Sequence, residues 1–195
     1  MIALDKPSGL PTQAPRGGGR NAFDLVRAAE HYAALHHRLD TPASGILLLS
    51  LRRAANAALA AAFRERRVDR RYLVVVLGDP GADGAWSAPV GGRPAETRWR
   101  RLDAGAGMAL LEAKLITGRT HQIRVHAVGA GHPVIGDRRH GGAAGRAWPR
   151  LALHAWRMAL DHPLDGHRLR LTAPPPADLA ELIGRAAPGW APTTA

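Results

Sequence analysis

Three residues in this chain are placed where their types could do chemistry. The first is Asp40, within His37-Arg38-Leu39-Asp40-Thr41-Pro42-Ala43-Ser44-Gly45 and just ahead of the apolar run Ile46 to Leu49. This sets one carboxylate at a turn between a basic segment and a buried strand. A lone Asp there is ordinarily a turn former or an arginine partner. Here Arg38, Asp40, Ser44 and Gly45 make a compact polar turn held by a rigid element, the setting in which function concentrates. Gly45 also implies close backbone approach.

The second is Arg124, within Thr117-Gly118-Arg119-Thr120-His121-Gln122-Ile123-Arg124. The plain reading is a solvated helix face. Against it, Ile123 and Val125 flank the arginine, and Gly118, Gly129 and Gly131 bound its helix tightly. A cation fixed in this way suits a carboxylate or a phosphate. Beside Asp40 it would keep that carboxylate ionised. The third is Tyr72, which follows Arg70-Arg71 at the head of a valine-rich strand. A strand tyrosine usually packs in a core with a wet tip. Base stacking or proton handling is the sharper alternative.

The ten histidines invite a metal reading that their spacing does not support. His36 and His37 are adjacent and cannot share a helix face. His121 and His126 are five apart, off the i, i+4 pattern of helical zinc sites. No metal site is expected. The absence of cysteine excludes disulfides, zinc–thiolate sites and iron–sulfur clusters.

The elements that must position these residues follow from pattern. Residues 14–20 read as a flexible basic loop, and Asn21 as the N-cap of a helix reaching about Leu35, with Asp24 in its first turn. Gly45 to Leu51 is a buried strand, after which Ser50 can cap a helix striped by Ala55, Leu59, Ala62 and Phe63. Strands follow at Arg71 to Leu77, Glu96 to Leu102 and Met108 to Ile116, with a loop or loose hairpin over Gly78 to Gly92. Thr120 reads as the N-cap of a short helix from His121 to Val128. Residues 136–150 form a basic, Gly-rich loop. Leu151 to Leu160 and His167 to Thr172 are strands, and Ala177 to Arg185 a helix. Strands and helices do not alternate, so a doubly wound fold is excluded. The expected class is α+β: a mixed, mainly antiparallel bent sheet flanked by helices and loops around a basic cleft.

The 195 residues are expected to form one domain, with no linker, repeat, secretory signal or membrane span. A cytoplasmic protein is the default. The formal charge of +11 is the strongest statement composition makes. A GC-rich genome explains the preference for arginine; Lys6 and Lys114 are the only lysines among 27 basic residues. It does not explain the excess charge, which points to a polyanionic partner, most commonly nucleic acid. A basic domain with an ionised Asp, an Arg partner and a stacking aromatic suits chemistry on a nucleotide sugar or base. The residues alone leave glycosidic-bond chemistry and simple RNA binding both open.

His37-Arg38-Leu39-Asp40 with Ser44-Gly45 resembles the catalytic signature of the RluA-type RNA pseudouridine synthases. Lys6-Pro7-Ser8-Gly9-Leu10 resembles that family's early segment, and Arg71 to Gly78 its tyrosine strand. Gly118 to His126, Gly131-His132-Pro133 and Gly136-Asp137 resemble its long motif. Leu153-His154-Ala155 and His162-Pro163 resemble its last strands. The motifs fall in the family's order over nearly the whole chain.

The resemblance implies isomerisation of a uridine in ribosomal or transfer RNA to pseudouridine, with no cofactor or metal; nothing in the sequence demands a dimer, so a monomer is expected. Asp40 would be the essential carboxylate, either attacking C1′ or taking a proton from C2′. Arg124 would be its ion-pair partner, and Tyr72 would stack on the uracil. Arg38, Arg119, His121, Arg138 and Arg139 would bind RNA, with Arg38 near the gap left by a flipped base. Alternatives are an idle RNA-binding protein on the same fold and a nucleoside hydrolase. The latter would want a second carboxylate. Departures from the family pattern are Ala43 where Thr is usual, His140 where Tyr is usual, a shortened first strand and a short segment between Gly78 and Glu96. An S4-type RNA-binding module is not expected.

Overall fold

A computed structural model describes residues 1–192. In chain order the elements are β1 (Ile2–Lys6), α1 (Ala22–Ala29), β2 (Ala34–Leu35), β3 (Ser44–Ser50), α2 (Asn56–Arg64), β4 (Asp69–Leu77), β5 (Asp83–Trp86), β6 (Thr97–Gly105), β7 (Met108–Leu115), α3 (Gln122–Gly129), β8 (Leu153–Asp161), β9 (Arg168–Thr172) and α4 (Ala177–Ala186). The class is α+β, as expected. No helix among the described residues is long and apolar enough to cross a membrane. The chain divides into two compact units, Met1–Arg70 with Ala155–Ala173, and Arg71–His154 with Pro174–Ala195.

In the first unit β3 lies between β1 and β8, β2 pairs with β3, and β9 with β8. The β1–β3, β2–β3 and β8–β9 pairs are antiparallel. All seven residues of β3 are buried, which is why its sequence is a continuous apolar run rather than an alternation. Ile46 and Leu48 join Leu59, Ala62, Met158 and Leu160 in one core, with Phe63 packed against it. The α2 stripe therefore faces the sheet as its 3.6-residue period predicts.

Gly45 has φ +104°, and a Cβ there would lie 2.3 Å from the Ala155 carbonyl oxygen. The chain enters β3 where only glycine fits between two backbones.

Two local expectations in this unit fail. The helix capped by Asn21 stops at Ala29, not near Leu35, because Ala34 and Leu35 pair with Ser50 and Leu49. Sheet pairing overrides the helical preference of those residues, alanine and leucine being strong helix formers. The cap itself is as expected, with Asp24 N–H donating to Asn21 Oδ1 at 3.0 Å. Ser50 caps nothing: it ends β3, and its hydroxyl donates to the Asn56 side chain. A single 3₁₀ turn at Arg53–Ala55 leads into α2 instead.

In the second unit the order is β4-β7-β6-β5, each neighbour antiparallel. α4 packs its buried Leu179, Leu182 and Ile183 toward β6 and β7. The segment expected as a loop or loose hairpin over Gly78 to Gly92 contains β5, a strand paired with β6.

Thr120 is not the cap of α3. His121 takes that position in the left-handed region, φ 56°, with no side-chain cap bond. Gln122 reaches back instead: its Oε1 accepts from Arg119 N–H at 3.0 Å and from the Thr117 hydroxyl at 2.6 Å. Its amide nitrogen donates to the Glu96 carbonyl and to Thr97 Oγ1. His126, one turn on, meets Thr97 Oγ1 through Nδ1 at 2.9 Å and donates from Nε2 to the Ala88 carbonyl at 2.8 Å. Polar side chains, rather than an apolar stripe, thus moor this helix to β6.

Candidate functional site

The Asp40 loop is built by the first unit alone. Asp40 is half-buried, and its carbonyl accepts from Ala43 N–H at 3.0 Å, closing a turn at the foot of β3. The segment from Lys6 to Thr12 cradles that turn. Thr12 Oγ1 both donates to the Leu39 carbonyl, 2.9 Å, and accepts from Leu39 N–H, 3.1 Å. Ser8 donates to the Pro42 carbonyl at 2.7 Å, and Gly9 N–H to the Thr41 carbonyl at 2.9 Å.

Lys6 is the centre of the cradle. Its side chain is 1% exposed, and Nζ reaches four carbonyls: Ala43 at 2.6 Å, Leu10 at 2.7 Å, Pro7 at 3.0 Å and Thr41 at 3.3 Å. A buried ammonium survives only when its donors are satisfied. The carbonyls on both sides of Pro42 are thereby turned inward. Ala43, the departure from threonine, is buried at 1% exposure.

His37, three residues before Asp40, ties the loop's other flank to β3. Its Nε2 accepts from Leu48 N–H at 2.9 Å, and its ring stacks on Phe63 with centroids 4.9 Å apart. Burial, reinforced by the nearby Arg70 and His36 charges, pushes its pKa down to about 3. The imidazole is thus a neutral structural acceptor at physiological pH. Arg38 lies exposed beside it.

The second unit holds the other two candidates. Tyr72 lies on β4 at 6% exposure, opposite Ala113 of β7. Arg124 lies on α3 at 3% exposure, and its guanidinium grips Asp137 bidentately, Nε–Oδ2 2.8 Å and Nη2–Oδ1 2.7 Å. Asp137 is itself fixed, accepting from the backbone N–H groups of Arg139 and His140 at 3.1 Å. Burial pushes its carboxyl up, but the Arg124 bonds and charge, with those two N–H groups, hold its pKa below the ordinary value. This fork uses two of the three guanidinium nitrogens and fixes the direction of the third.

His121 Nδ1 and His140 Nε2 are 3.0 Å apart, their rings edge-on. Arg119 donates from Nε to the Pro94 carbonyl at 3.2 Å, and Arg138 and Arg139 are exposed. The four second-unit RNA-binding candidates, with Arg124, therefore come from α3, its approach and the loop after Asp137. Sequence reasoning missed the work of Lys6, Thr12, His37 and Asp137. The signals for Lys6 were its place in the Lys6-Pro7-Ser8-Gly9-Leu10 segment and its being lysine at all in an arginine-dominated chain.

The sheet-rich α+β fold is similar to that of the pseudouridylate synthases. The structure of human RNA Pseudouridylate Synthase Domain Containing 1 overlays with a TM-score of 0.75, covering 95% of this chain and 83% of that one at 26% identity. The sequence profile of the RNA pseudouridylate synthase family matches residues 1–128, and the chain belongs to that family.

Among its relatives, the dual-specificity RNA pseudouridine synthase RluA of Escherichia coli is 34% identical over 89% of both chains. The ribosomal large subunit pseudouridine synthase D of Nitrosomonas europaea is 36% identical over 94% of this chain. This chain spans 62% of that relative, and 65% of the synthase C of Vibrio cholerae.

Proposed function

We propose that this chain isomerises specific uridines in structured RNA, ribosomal or transfer, to pseudouridine. In that reaction the N1–C1′ bond breaks, C5 bonds to C1′, and the proton lost from C5 is balanced by one gained at N1. No oxidant, reductant or activated donor is consumed. The observation that supports this most is the cradle. Thr12 holds Leu39, and Ser8, Gly9 and Lys6 hold Thr41, Pro42 and Ala43, so the backbone on both sides of Asp40 is fixed. A carboxylate that only formed a turn would need no such scaffold. Preorganisation of this kind is how a site converts binding into rate.

In this reading Asp40 attacks C1′ or takes the C2′ proton. Arg124 keeps Asp40 ionised and aimed, Tyr72 stacks on the uracil, and the exposed arginines hold the RNA backbone. The chain works as a monomer in the cytoplasm. The test is chemical mapping of pseudouridines across total RNA from cells with and without the gene, then repair of each lost site with purified protein. Asp40→Asn is expected to abolish formation while RNA binding stays near wild type. Retained turnover in that variant sinks the mechanism, and free uracil as product would make the protein a hydrolase.

A further inference from the structure

The turn between β8 and β9, His162-Pro163-Leu164-Asp165-Gly166-His167, has no part in the proposed reaction. Two main-chain bonds close it: His162 N–H to the His167 carbonyl, 2.8 Å, and Gly166 N–H to the His162 carbonyl, 2.9 Å. That frame sets the two imidazoles side by side, centroids 4.8 Å apart and planes 21° from parallel. Asp165 reaches back to both, its Oδ1 2.8 Å from His162 Nδ1 and 2.5 Å from His167 Nδ1. All three donor atoms lie within 4.8 Å of one another, a grouping met once among the described residues.

His167 Nδ1 bonds the carboxylate. His162 Nδ1 is shielded from solvent, with the same oxygen 2.8 Å away. Ligands at about 2.0–2.1 Å from one ion sit roughly 3 Å apart, and Asp165 Oδ1 is 2.8 Å from His162 Nδ1.

Two imidazoles and a carboxylate are a donor set taken by zinc, nickel, cobalt and copper ions, and a poor one for magnesium or calcium. The set carries one negative charge. Arg168, the next residue, is engaged by Asp161 at 3.0 Å. Asp165 and His167 side chains are each 57% exposed, so an ion reaches them from water and can keep water in its open positions.

We infer that His162, Asp165 and His167 form a binding site for a divalent transition-metal ion, zinc foremost. The ion would clip the β8–β9 turn in its folded form and raise stability by mass action, because the unfolded chain presents no such geometry.

The test uses the full chain stripped with chelator and titrated with zinc chloride by calorimetry and thermal melts. Cobalt(II) absorbance reports the coordination. One tight equivalent and a melting temperature that rises with zinc are expected. His167→Ala and Asp165→Asn should each weaken the site about tenfold or more. Both lie on an exposed turn, so their metal-free melts should match wild type. No stoichiometric binding overturns the inference. So does binding that neither substitution weakens, which would move the ion to other histidines such as His121 and His140.

Discussion

Replacing Lys6 by Met removes the donor to four carbonyls at once while keeping the side chain's length. Each carbonyl left buried without a donor costs about 1–3 kcal/mol. The turn bearing Asp40 would relax with it, and a displacement of about 1 Å can cost roughly 100-fold in turnover. Lys6→Met is therefore expected to melt earlier and to lose turnover far more than RNA affinity, measured by calorimetry, single-turnover assay and filter binding. Lys6→Arg should not rescue, since a planar fork cannot fill a cage built for a compact ammonium.

His37 gives a pH signature at the same scale. Its folded pKa of about 3 lies below its ordinary 6.5, so the unfolded chain takes up this proton first as pH falls. Its contribution to stability is full above 6.5 and drains toward about 3, by up to ~1.4 kcal/mol per pH unit. His37→Gln keeps an acceptor for Leu48 N–H and should show a smaller loss of melting temperature from pH 7 to pH 5. An equal loss would move the effect to other groups, His36 among them. The turn at Asp40 was legible because polar residues there lead straight into an apolar run. Lys6 was not, because its cage joins segments far apart in sequence and is made of carbonyls, which every residue carries.

At the scale of elements, α3 shows how polar side chains can anchor a short helix beside its two buried apolar residues, Ile123 and Ala127. Its capping was misread at Thr120 because the stabilising oxygen comes from Gln122, inside the first turn, and works only once Thr117 and Arg119 have folded toward it. Its position was legible from the Gly-bounded stretch around Arg124; its anchoring was not, since Thr97 and Ala88 are contributed by other segments. The Arg124–Asp137 pair joins α3 to the basic loop behind it. Asp137→Ala would strand a buried guanidinium, and breaking such a pair costs about 3–5 kcal/mol. Thermal melts should show that loss, and pseudouridine formation should fall with it even at temperatures where the variant stays folded. A variant as stable as wild type would show the pair to be dispensable.

For the whole molecule, the charge of +11 would set how it meets the RNA proposed as its substrate. Affinity should fall steeply with salt, and Arg138→Gln with Arg139→Gln should flatten the plot of log affinity against log salt by about one unit for each phosphate no longer held. Measuring that slope by filter binding separates phosphate contacts from base contacts, which leave it unchanged. The antiparallel sheet was legible in the alternating strands from Glu96 to Ile116. The division into two units was not, because it depends on strand partners that no local pattern encodes.

That division has a consequence for synthesis. β3, which leads out of the Asp40 turn, has β8 as a neighbour, and residues 51–152 are made between them. At about 5–20 residues per second this leaves the apolar strand without that neighbour for roughly 5–20 s on the ribosome. An unpaired strand edge is open to pairing with other chains. For those seconds the strand that follows the Asp40 turn is open to aggregation, and is a segment a nascent-chain chaperone would hold.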